Sequence, residues 1–343
     1  MSLRATTFRN RVFVSPMCQY SSLDGHATDW HLVHLGSRAV GGAGCVIQEA
    51  TAVVPEGRIS NGDAGIWSDA HVPGYARIAA FVRGHGAVPA IQLAHAGRKA
   101  STDLPWRGGK PVDGWPVVGP SAIAYDDGWP VPRALTAEEI GGVVQAFLHA
   151  TRRGLEAGFE VVEIHMAHGY LLHEFLSPLS NRREDAWGGS LENRMRLPLA
   201  VARAVRDAWP EAKPVFVRVS ASDWAEGGWD LPQTIELAKR LRGIGIDLVD
   251  CSSGGLVPHQ KLVPGPGYQV PFADAVRREA GIATGAVGMI TEPEQAESIV
   301  AQGKADVVLL AREILRDPYW PLHAASKLGA SIDWPVQYLR AKI

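Results

Sequence analysis

Residues 161–170 end in three side chains that can hold or pass a proton. The segment reads Val-Val-Glu-Ile-His-Met-Ala-His-Gly-Tyr, so an apolar strand leads into a polar loop that carries His165, His168 and Tyr170. Two imidazoles can bind a carbonyl or phenolate oxygen, and a nearby phenol can donate a proton. Paired histidines are also common metal ligands, and they can form a purely structural pair. The segment by itself leaves these three interpretations open.

Two other strands carry a polar side chain where the pattern predicts an inward face. In 214–220 the valines at alternate positions predict a helix-facing side, so Arg218 is expected to point inward. A buried guanidinium requires a carboxylate or an electron-rich ligand, and Glu163 on the neighbouring strand is one candidate partner. Gln92 is also expected to point inward, where its amide could contact an imide-like ring edge or a neighbouring strand.

Glycines and an arginine follow the last two predicted strands. The seventh strand runs into Thr284-Gly-Ala-Val-Gly-Met-Ile-Thr, and Arg312 follows the eighth. Loops after strands seven and eight of an α/β barrel form its usual phosphate site. Glycine allows close backbone approach, and arginine can bind a phosphate through two hydrogen bonds. The pattern therefore indicates a phosphorylated cofactor.

The three cysteines are scattered along the chain and do not form a disulfide framework, a zinc motif or a four-cysteine iron–sulfur motif. Cys45 and Cys251 are expected in the core. Cys18 lies at the end of the first strand without an adjacent base. Packing or redox tuning is therefore favoured over a nucleophilic role for Cys18.

Eight short apolar runs alternate with helical patterns along the chain. The runs are rich in Val and Ile and nearly continuous in hydrophobicity, which is typical of parallel strands covered on both faces. The predicted strands are 12–16, 44–49, 88–93, 159–165, 214–220, 247–252, 283–288 and 306–311. The predicted helices are 29–40, 69–84, 136–156, 192–208, 231–242, 272–279, 292–301 and 321–327. The alternation predicts an α/β fold of the (β/α)8 TIM-barrel type, and no GxGxxG turn follows the first strand to favour a doubly wound sheet.

A single domain spanning 1–343 is expected, because no Ser-rich or charge-rich linker divides the chain. The longest stretch without predicted secondary structure is 98–134, which follows the third strand. A loop of that length in a compact domain is usually functional. We expect it to lie over the catalytic face of the barrel.

The composition is that of a globular protein with a sizeable core: 46% of the residues are hydrophobic and 20% are charged. With a formal net charge of −2 and a pI of about 6.6, neither nucleic acid nor an anionic membrane is an expected partner. No run approaches membrane-spanning length, and the N-terminus has no signal-peptide core. Few, unpatterned cysteines suit a reducing cytoplasm.

Motifs along nearly the whole chain resemble those of the Old Yellow Enzyme family, and most closely its thermophilic-like bacterial branch. They are Ser15-Pro-Met-Cys, Glu49-Ala-Thr-Ala-Val, Gly65-Ile-Trp-Ser-Asp, Gln92-Leu-Ala-His-Ala-Gly-Arg-Lys, Pro120-Ser-Ala-Ile-Ala, His165-Met-Ala-His-Gly-Tyr, Glu174-Phe-Leu-Ser-Pro-Leu-Ser-Asn, Asp250-Cys-Ser-Ser-Gly, Gly285-Ala-Val-Gly and Pro335-Val-Gln-Tyr-Leu-Arg. The resemblance implies a (β/α)8 barrel that binds one FMN non-covalently. It also implies reduction of activated alkenes, such as α,β-unsaturated carbonyl compounds, by NADPH or NADH.

The resemblance assigns a set of residues to the flavin. They are Ser15, Pro16, Met17, Cys18, Ala50, Gln92, Arg218, Gly288, Ala311 and Arg312. Gln92 would contact the pyrimidine edge, and Arg218 would lie by N1 and O2. The last three would hold the phosphate. Cys18 would lie near N5 and tune the reduction potential.

A second set is assigned to the substrate. It consists of Tyr20, Lys99, His165, His168, Tyr170 and Arg340. The two histidines would hydrogen-bond the substrate carbonyl, and Tyr170 would donate the proton. Arg340 resembles an arginine that reaches into a neighbouring subunit's site. A homodimer or homotetramer is therefore expected, with the tail 330–343 at the subunit interface.

The chain departs from the family pattern at three places. The segment before Asn10-Arg11 is shorter than usual, which bears on how the bottom of the barrel is closed. Ala311 stands where a glycine usually precedes the phosphate arginine, which predicts a less close backbone approach. Trp30 and the Trp-bearing stretch 106–115 are bulkier than in the shortest relatives and would reshape the substrate entrance.

Two other functions remain open. A metal-dependent barrel hydrolase would use His165, His168 and Asp250 as ligands, although Arg218 and Arg312 bring positive charge to the same rim. A non-catalytic flavin-binding protein would hold FMN without electron transfer.

Overall fold

Eight parallel strands close into a barrel. A computed structural model describes residues 1–343. In chain order the barrel strands are Val12–Val14, Cys45–Ala52, Val88–Ala94, Val161–Met166, Val215–Ser220, Leu248–Ser252, Ala283–Val287 and Val307–Leu310. Each strand pairs with the next in chain order, and the last pairs with the first. This closure confirms the predicted TIM barrel over the doubly wound sheet.

Helices follow every barrel strand. The α-helices are Asp29–Val40, Val72–Gly84, Ala137–Glu156, Leu171–Leu176, Leu191–Ala208, Leu231–Ile244, Val270–Ala280, Pro293–Ala301, Arg312–Arg316 and Trp320–Lys327. All eight predicted helices form, but the predicted helix 69–84 begins with a 3-10 turn, Asp69–His71. Two short helices, Leu171–Leu176 and Arg312–Arg316, were not predicted, because one or two turns leave too little periodicity to detect.

The barrel wall has an apolar side toward the helices and a second apolar cluster inside. The valines of 215–219 pack in the helix-facing cluster, whereas Phe216 belongs to the interior cluster, as the alternation predicts. At the N-terminal end the interior is filled by packed aromatic rings. The ring of Phe8 lies 4.8 Å from that of Phe13, which lies 6.3 Å from that of Phe216. Phe8 follows a hairpin of Ser2–Leu3 with Thr6–Thr7, so the barrel bottom is closed.

Above this apolar plug the interior becomes polar. Gln92, Glu163, Arg218 and Asp250 are all buried there. The register puts Gln92 beside Glu163, and Arg218 beside Asp250. His165 stands two residues further along the fourth strand, directly beside Arg218. A polar layer therefore separates the plug from the C-terminal rim.

The long connection after the third strand is tied to the rim by a buried arginine. It contains 3-10 turns at Gly97–Lys99 and Pro105–Arg107, and a parallel pair of two-residue strands further along. Arg98 donates to the carbonyl oxygens of Ile123 and Ala124, each at 3.2 Å, and to that of Leu256 at 2.8 Å. The guanidinium thereby joins this loop to the one after the sixth strand.

A cleft of about 1080 Å³ opens at the opposite end of the barrel. It lies between residues 9–12, the helix Pro293–Ala301 and residues 330–337. None of the predicted site residues lines this cleft, so it is not the predicted active site. None of the helices combines the length and the hydropathy that crossing a bilayer requires.

Candidate active site

The three predicted proton-handling side chains come together after the fourth strand. The ring of His165 is nearly perpendicular to that of His168, at 5.2 Å and 87°, and to that of Tyr170, at 5.0 Å and 89°. Edge-to-face contacts of this kind are favourable and fix the rings relative to one another. Two imidazoles and one phenol therefore form a compact cluster at the C-terminal rim.

The turn that carries these rings has a left-handed backbone at two consecutive residues. The φ angle is 60° at His168 and 75° at Gly169. A Cβ on Gly169 would collide with the carbonyl oxygen of Gly255, and a Cβ on Gly255 would come within 2.7 Å of the Cα of His168. The two glycines are required because the loops after the fourth and sixth strands touch through their backbones.

Two side chains hold the backbone of this turn. The hydroxyl oxygen of Ser220 accepts the N–H of His168 at 2.9 Å. The ammonium of Lys99 donates to the carbonyl oxygens of His168 and Gly255, both at 2.9 Å. The Lys99 nitrogen also lies 5.3 Å from the ring centre of Tyr170. Lys99 is thus at the predicted site, but its ammonium is bound to the loop backbone.

A buried pair lies beneath the turn. The N–H of Gly169 donates to Nδ1 of His173 at 2.9 Å, and Nε2 of His173 lies 2.8 Å from Oδ1 of Asp223. The other carboxylate oxygen of Asp223 accepts the Ser177 hydroxyl at 2.6 Å and the Trp229 N–H at 2.7 Å. Burial acts to raise the pKa of Asp223, but His173 and these two donors outweigh it and lower that pKa. An ionised carboxylate therefore supports the histidine that orients the turn.

Sequence reasoning missed His173 and Asp223. The one available signal was the setting of His173, an imidazole among leucines and a phenylalanine; Asp223 lies in a mixed polar stretch and gave no signal.

The electrostatics keep the two rim imidazoles neutral and the phenol protonated. Burial, followed by the positive charge of Arg218, lowers the pKa of both His165 and His168 well below the ordinary range. Nδ1 of His165 accepts the N–H of Ala167 at 3.2 Å, so the neutral ring carries its proton on Nε2. Burial is the main cause that raises the pKa of Tyr170 well above its ordinary value. The cluster offers neutral donors and an intact phenol.

His168 is oriented through one ring nitrogen. Its Nε2 lies 2.7 Å from the hydroxyl oxygen of Ser252, the buried last residue of the sixth strand. The other ring nitrogen makes no hydrogen bond to the protein and stays available to a bound molecule.

Cys18 and Tyr20 lie in the loop after the first strand, within electrostatic reach of Tyr170. Burial, followed by the carboxylates of Asp63 and Glu49, raises the pKa of the Cys18 thiol well above its ordinary value. A thiol that keeps its proton is a poor nucleophile. The surroundings of Cys18 therefore do not favour a nucleophilic role.

Glu49 holds this loop in position from the second strand. One of its oxygens accepts the backbone N–H of Gln19 at 2.7 Å, and the other lies 3.2 Å from Nε2 of His31. Tyr20 has a φ of 51°, and its ring meets the exposed Trp106 edge-on at 5.9 Å. The long loop therefore contributes one wall beside Tyr20, as its tryptophans suggested.

A small cavity opens beside Tyr170. It is lined by Ala50, Ala52, Gly57, Ile59, Asp63, Ala94, Ala96 and Tyr170. Pro16 and Met17 are half-buried between Ser15 and Cys18. The predicted residues of the first and second strands thus border the same rim as the histidine cluster.

Arg218 pairs with Asp250 and not with Glu163. Its Nε lies 3.2 Å from a carboxylate oxygen of Asp250, and its Nη1 donates to the Ser15 hydroxyl at 2.9 Å. Glu163 instead accepts the side-chain N–H of Gln92 at 2.7 Å. The suggestion of Glu163 as the partner is wrong, because the register brings Asp250 directly beside Arg218 and leaves Glu163 two residues below.

The residues predicted for a phosphate lie after the seventh and eighth strands. Gly288 has a φ of 120°, and a Cβ there would come within 2.8 Å of the Gln269 amide nitrogen. Ala311 has a φ of −111°, so no left-handed backbone requires a glycine at this position. Arg312 follows it with an exposed side chain. A close-approaching glycine turn and an exposed guanidinium are compatible with a phosphate group.

Arg340 is not part of this rim. It is exposed and lies in the 3-10 helix Val336–Ala341, which continues from the segment lining the cleft at the other end of the barrel. The predicted role of Arg340 in a neighbouring subunit stays a prediction.

No group of three or more His, Cys, Asp or Glu side chains is arranged to hold a metal ion. Asp250, a possible third ligand beside the histidines, is bound to Arg218. His95 is turned toward its own loop, where its Nδ1 accepts the Gly97 N–H at 3.0 Å. The geometry gives no support to the metal-dependent hydrolase.

Comparison with known proteins finds matches along the full length of the chain. A family model, the NADH:flavin oxidoreductase / NADH oxidase family, matches residues 1–330. An NADPH dehydrogenase of Geobacillus sp. (strain WCH70) is 50% identical over 341 residues, which cover 99% of this chain and 96% of that protein. The structure of morphinone reductase in complex with tetrahydroNAD has a TM-score of 0.80 at 28% identity, covering 98% of this chain and 91% of that one. The Old Yellow Enzyme homologue from Zymomonas mobilis has a TM-score of 0.80 at 28% identity, covering 98% and 93%.

Proposed function

Since this chain belongs to the NADH:flavin oxidoreductase / NADH oxidase family, we propose that it is an FMN-dependent ene-reductase. Family membership confirms the resemblance to the Old Yellow Enzyme homologues, and with it FMN as cofactor and a nicotinamide as reductant. The proposed substrate is an alkene activated by a carbonyl group. The observation that carries this proposal is the rim cluster of two neutral imidazoles beside a phenol that keeps its proton.

The polar layer and the rim suit FMN in their chemistry. The buried Nε of Arg218 has no aligned hydrogen-bond acceptor in the protein, which suits an additional electron-rich partner. Gln92 donates to Glu163 through its nitrogen and keeps its carbonyl oxygen for an imide N–H. We assign the flavin ring to Ser15, Pro16, Met17, Cys18, Ala50, Gln92 and Arg218, and its phosphate to Gly288, Ala311 and Arg312.

FMN, when bound, supplies a centre that accepts a hydride from the nicotinamide and passes it to the alkene, and the protein supplies orientation and field. Arg218 stabilises negative charge at the pyrimidine edge. Cys18, held as a thiol, contributes a neutral and polarizable neighbour and no charge of its own.

His165 and His168 are proposed to bind the substrate carbonyl oxygen. Negative charge develops on this oxygen as hydride reaches the β-carbon, and preorganised N–H donors stabilise that charge. Nε2 of His165 carries the required proton, because Nδ1 is occupied by a backbone N–H. His168 contributes the ring nitrogen that Ser252 leaves available. Both rings stay neutral at neutral pH because burial lowers their pKa values.

Tyr170 is proposed to donate the proton that completes reduction at the α-carbon. Its raised pKa keeps the phenol protonated until the carbanion-like charge forms. Its position is set by the His165 ring on one side and by the Lys99 nitrogen on the other. Lys99 and Tyr20 border the substrate space, and Lys99 also holds the backbone of the turn.

The visible absorption spectrum tests the whole cycle. The purified protein should show a flavin band that bleaches with NADPH under anaerobic conditions and returns when cyclohexenone is added. A colourless protein that cannot be reconstituted with FMN would refute the proposal. A flavin that bleaches but is not reoxidised by any activated alkene would limit the activity to NADPH oxidation.

We further infer a homodimer or homotetramer in the cytoplasm. The exposed Arg340, remote from its own rim, supports a contribution to a neighbouring subunit's site. A monomer in analytical ultracentrifugation, at the concentration used for assays, would contradict this part of the proposal.

A further inference from the structure

The polar layer inside the barrel contains one guanidinium and two carboxyl groups. Glu163 and Asp250 are both fully buried, at 0% exposure, and Arg218 is 6% exposed. Asp250 lies 3.2 Å from Nε of Arg218. Glu163 accepts a hydrogen bond from the neutral Gln92, and its second oxygen has no hydrogen-bond partner. Neither oxygen of Asp250 has an aligned hydrogen-bond donor, so its pairing with Arg218 is a charge contact. The layer is thus one positive charge short of pairing both carboxylates.

This imbalance determines which carboxyl group holds a proton. A buried charge persists when it is paired and otherwise takes up or releases a proton. The titratable or charged groups that face Glu163 are Cys45 from the second strand, His165 from its own strand, Arg218 from the fifth and Asp250 from the sixth. Cys45 and His165 are neutral. Burial raises the pKa of Asp250 as well, but Asp250 has the single cation, Arg218, 3.2 Å away to offset this rise. Glu163 has no cation at that distance, so we take it as the group that carries a proton.

We propose that Glu163 is a redox-linked proton-binding residue, which in alkaline solution binds one proton from solvent when the flavin beside it is reduced and so sets how the reduction potential depends on pH in that range. This inference rests on the proposed contact of the flavin's pyrimidine edge with Gln92 and Arg218. Reduction adds negative charge next to Arg218, which then has two anionic neighbours to compensate. A negative charge nearby favours the protonated form of a carboxyl group.

The electrostatics of the protein alone, without the charge of a reduced flavin, also favour a protonated Glu163. Burial, followed by repulsion from Asp250, raises the pKa of Glu163 well above its ordinary value, and Arg218 and Gln92 only partly offset this. Glu163 is therefore protonated at neutral pH in both redox states. Only in alkaline solution does oxidation release its proton and reduction restore it.

The step balances without a further reactant. The nicotinamide gives a hydride, which is two electrons and one proton, and leaves oxidised. Glu163 gains one proton from a water molecule: an O–H bond forms at its free oxygen, and an O–H bond of that water breaks and leaves hydroxide in solution. At neutral pH, reduction of the bound flavin by two electrons therefore takes up one proton. In the alkaline range it takes up two, and the second is the proton on Glu163.

The test is the midpoint potential of the FMN-loaded protein, measured by spectroelectrochemistry from mildly acid to alkaline pH. The slope should be about 30 mV per pH unit near neutral pH, and it should double over an alkaline interval. In Glu163→Gln, which mimics the protonated form, the doubled interval should be absent. Parallel lines for the two proteins over the whole range would overturn the proposal.

Glu174→Gln is the matched control. Glu174 is also fully buried, and burial raises its pKa to about 8, but it lies under the Gly97–Lys99 turn, where it accepts the Arg98 N–H at 2.8 Å. This variant should keep the doubled slope. If Glu174→Gln alone lost the doubled slope, Glu174 and not Glu163 would be the residue that binds the proton, and the proposal would be overturned.

Asp250→Asn separates this inference from the proposed position of the flavin. Glu163 would then be the only carboxyl group left to neutralise Arg218, so the steep interval should move to lower pH. A changed potential without a steep interval in any protein would refute the role of Glu163 while leaving the flavin beside Arg218. An unchanged potential in Asp250→Asn would refute the flavin position itself.

The infrared difference spectrum of the unsubstituted protein, reduced minus oxidised, gives a second readout that needs no variant. At alkaline pH, the C=O band of a protonated carboxyl group should appear on reduction. At neutral pH the difference spectrum should lack this band, because Glu163 is protonated in both redox states. Absence of this band at alkaline pH would count against proton binding, even where Glu163→Gln fails to fold.

Discussion

Replacing Tyr170 by phenylalanine tests the proton donor, because the change removes one hydroxyl and little else. The ring would keep its perpendicular contact with His165 at 5.0 Å and its place 5.3 Å from the Lys99 nitrogen. The hydroxyl forms no hydrogen bond to another protein group. Its loss therefore breaks no intramolecular hydrogen bond of about 0.5–1.5 kcal/mol. We expect folding and flavin content close to those of the unsubstituted protein.

The expected kinetic loss is that of a general acid. Such a group contributes about 10²–10⁴-fold, which is about 2.7–5.4 kcal/mol of activation free energy at about 1.36 kcal/mol per tenfold. Burial keeps the phenol of Tyr170 protonated. Hydride transfer from NADPH to the flavin needs no proton from this phenol. The loss should fall on the oxidative half-reaction with an alkene, and the reductive half-reaction should keep its rate.

Stopped-flow absorbance measures the two half-reactions separately, by flavin bleaching with NADPH and by its return with cyclohexenone. Tyr125→Phe is the matched control, since its ring lies 4.8 Å from the Lys99 nitrogen on the loop side. Both rates should stay near those of the unsubstituted protein in this control. Equal slowing of both half-reactions in Tyr170→Phe, or an unchanged oxidative rate, would refute the assignment.

Further changes test the rest of the rim. His165→Ala combined with His168→Ala should abolish alkene reduction in a protein that stays yellow; near-normal turnover with bound flavin would contradict the carbonyl contact. Cys18→Ala should shift the flavin midpoint potential and keep part of the turnover, whereas complete loss would indicate a nucleophile. Gly169→Ala should destabilise the protein by at least about 1–2 kcal/mol, because φ is 75° and the new Cβ would meet a carbonyl oxygen. An unchanged thermal midpoint would refute that packing argument. Asp223→Ala should cost about 1–3 kcal/mol at neutral pH, since it leaves the buried Nε2 of His173, the Ser177 hydroxyl and the Trp229 N–H without their acceptor. The pKa of Asp223 is lowered by folding, so this contribution is present above the unfolded-state pKa of about 3.9 and is lost as pH falls through the lower folded-state value. The difference in urea-unfolding free energy between the two proteins should therefore shrink in acid; a difference independent of pH would contradict an ionised Asp223.

The barrel could be predicted because its strands follow a local rule. A strand covered on both faces reads as a continuous apolar run, and the interruption of such a run by Arg218 or Gln92 marks an inward position. The structure confirms these inward positions. The short helix Leu171–Leu176 was missed, since all its residues are buried and it shows no polar face.

The candidate site could be predicted as a set of side chains but not as a set of contacts. His165, His168 and Tyr170 are neighbours in sequence, so their meeting at one rim follows from the strand that ends there. The ammonium of Lys99 comes from the loop after the third strand and contacts carbonyl oxygens in two other loops. Backbone carbonyls carry no residue identity, so no pattern in the sequence points to them.

The sequence by itself determined the barrel and the rim, because the alternation of apolar residues sets which side chains face inward and parallel strands bring their C-terminal ends to one face. Only the tertiary structure decided which polar side chains pair with each other. Arg218 pairs with Asp250 and Glu163 with Gln92, and His173 reaches Asp223 fifty residues along the chain. These choices depend on strand register and on the close approach of loops through Gly169 and Gly255, and distances of that kind arise only when the whole barrel closes.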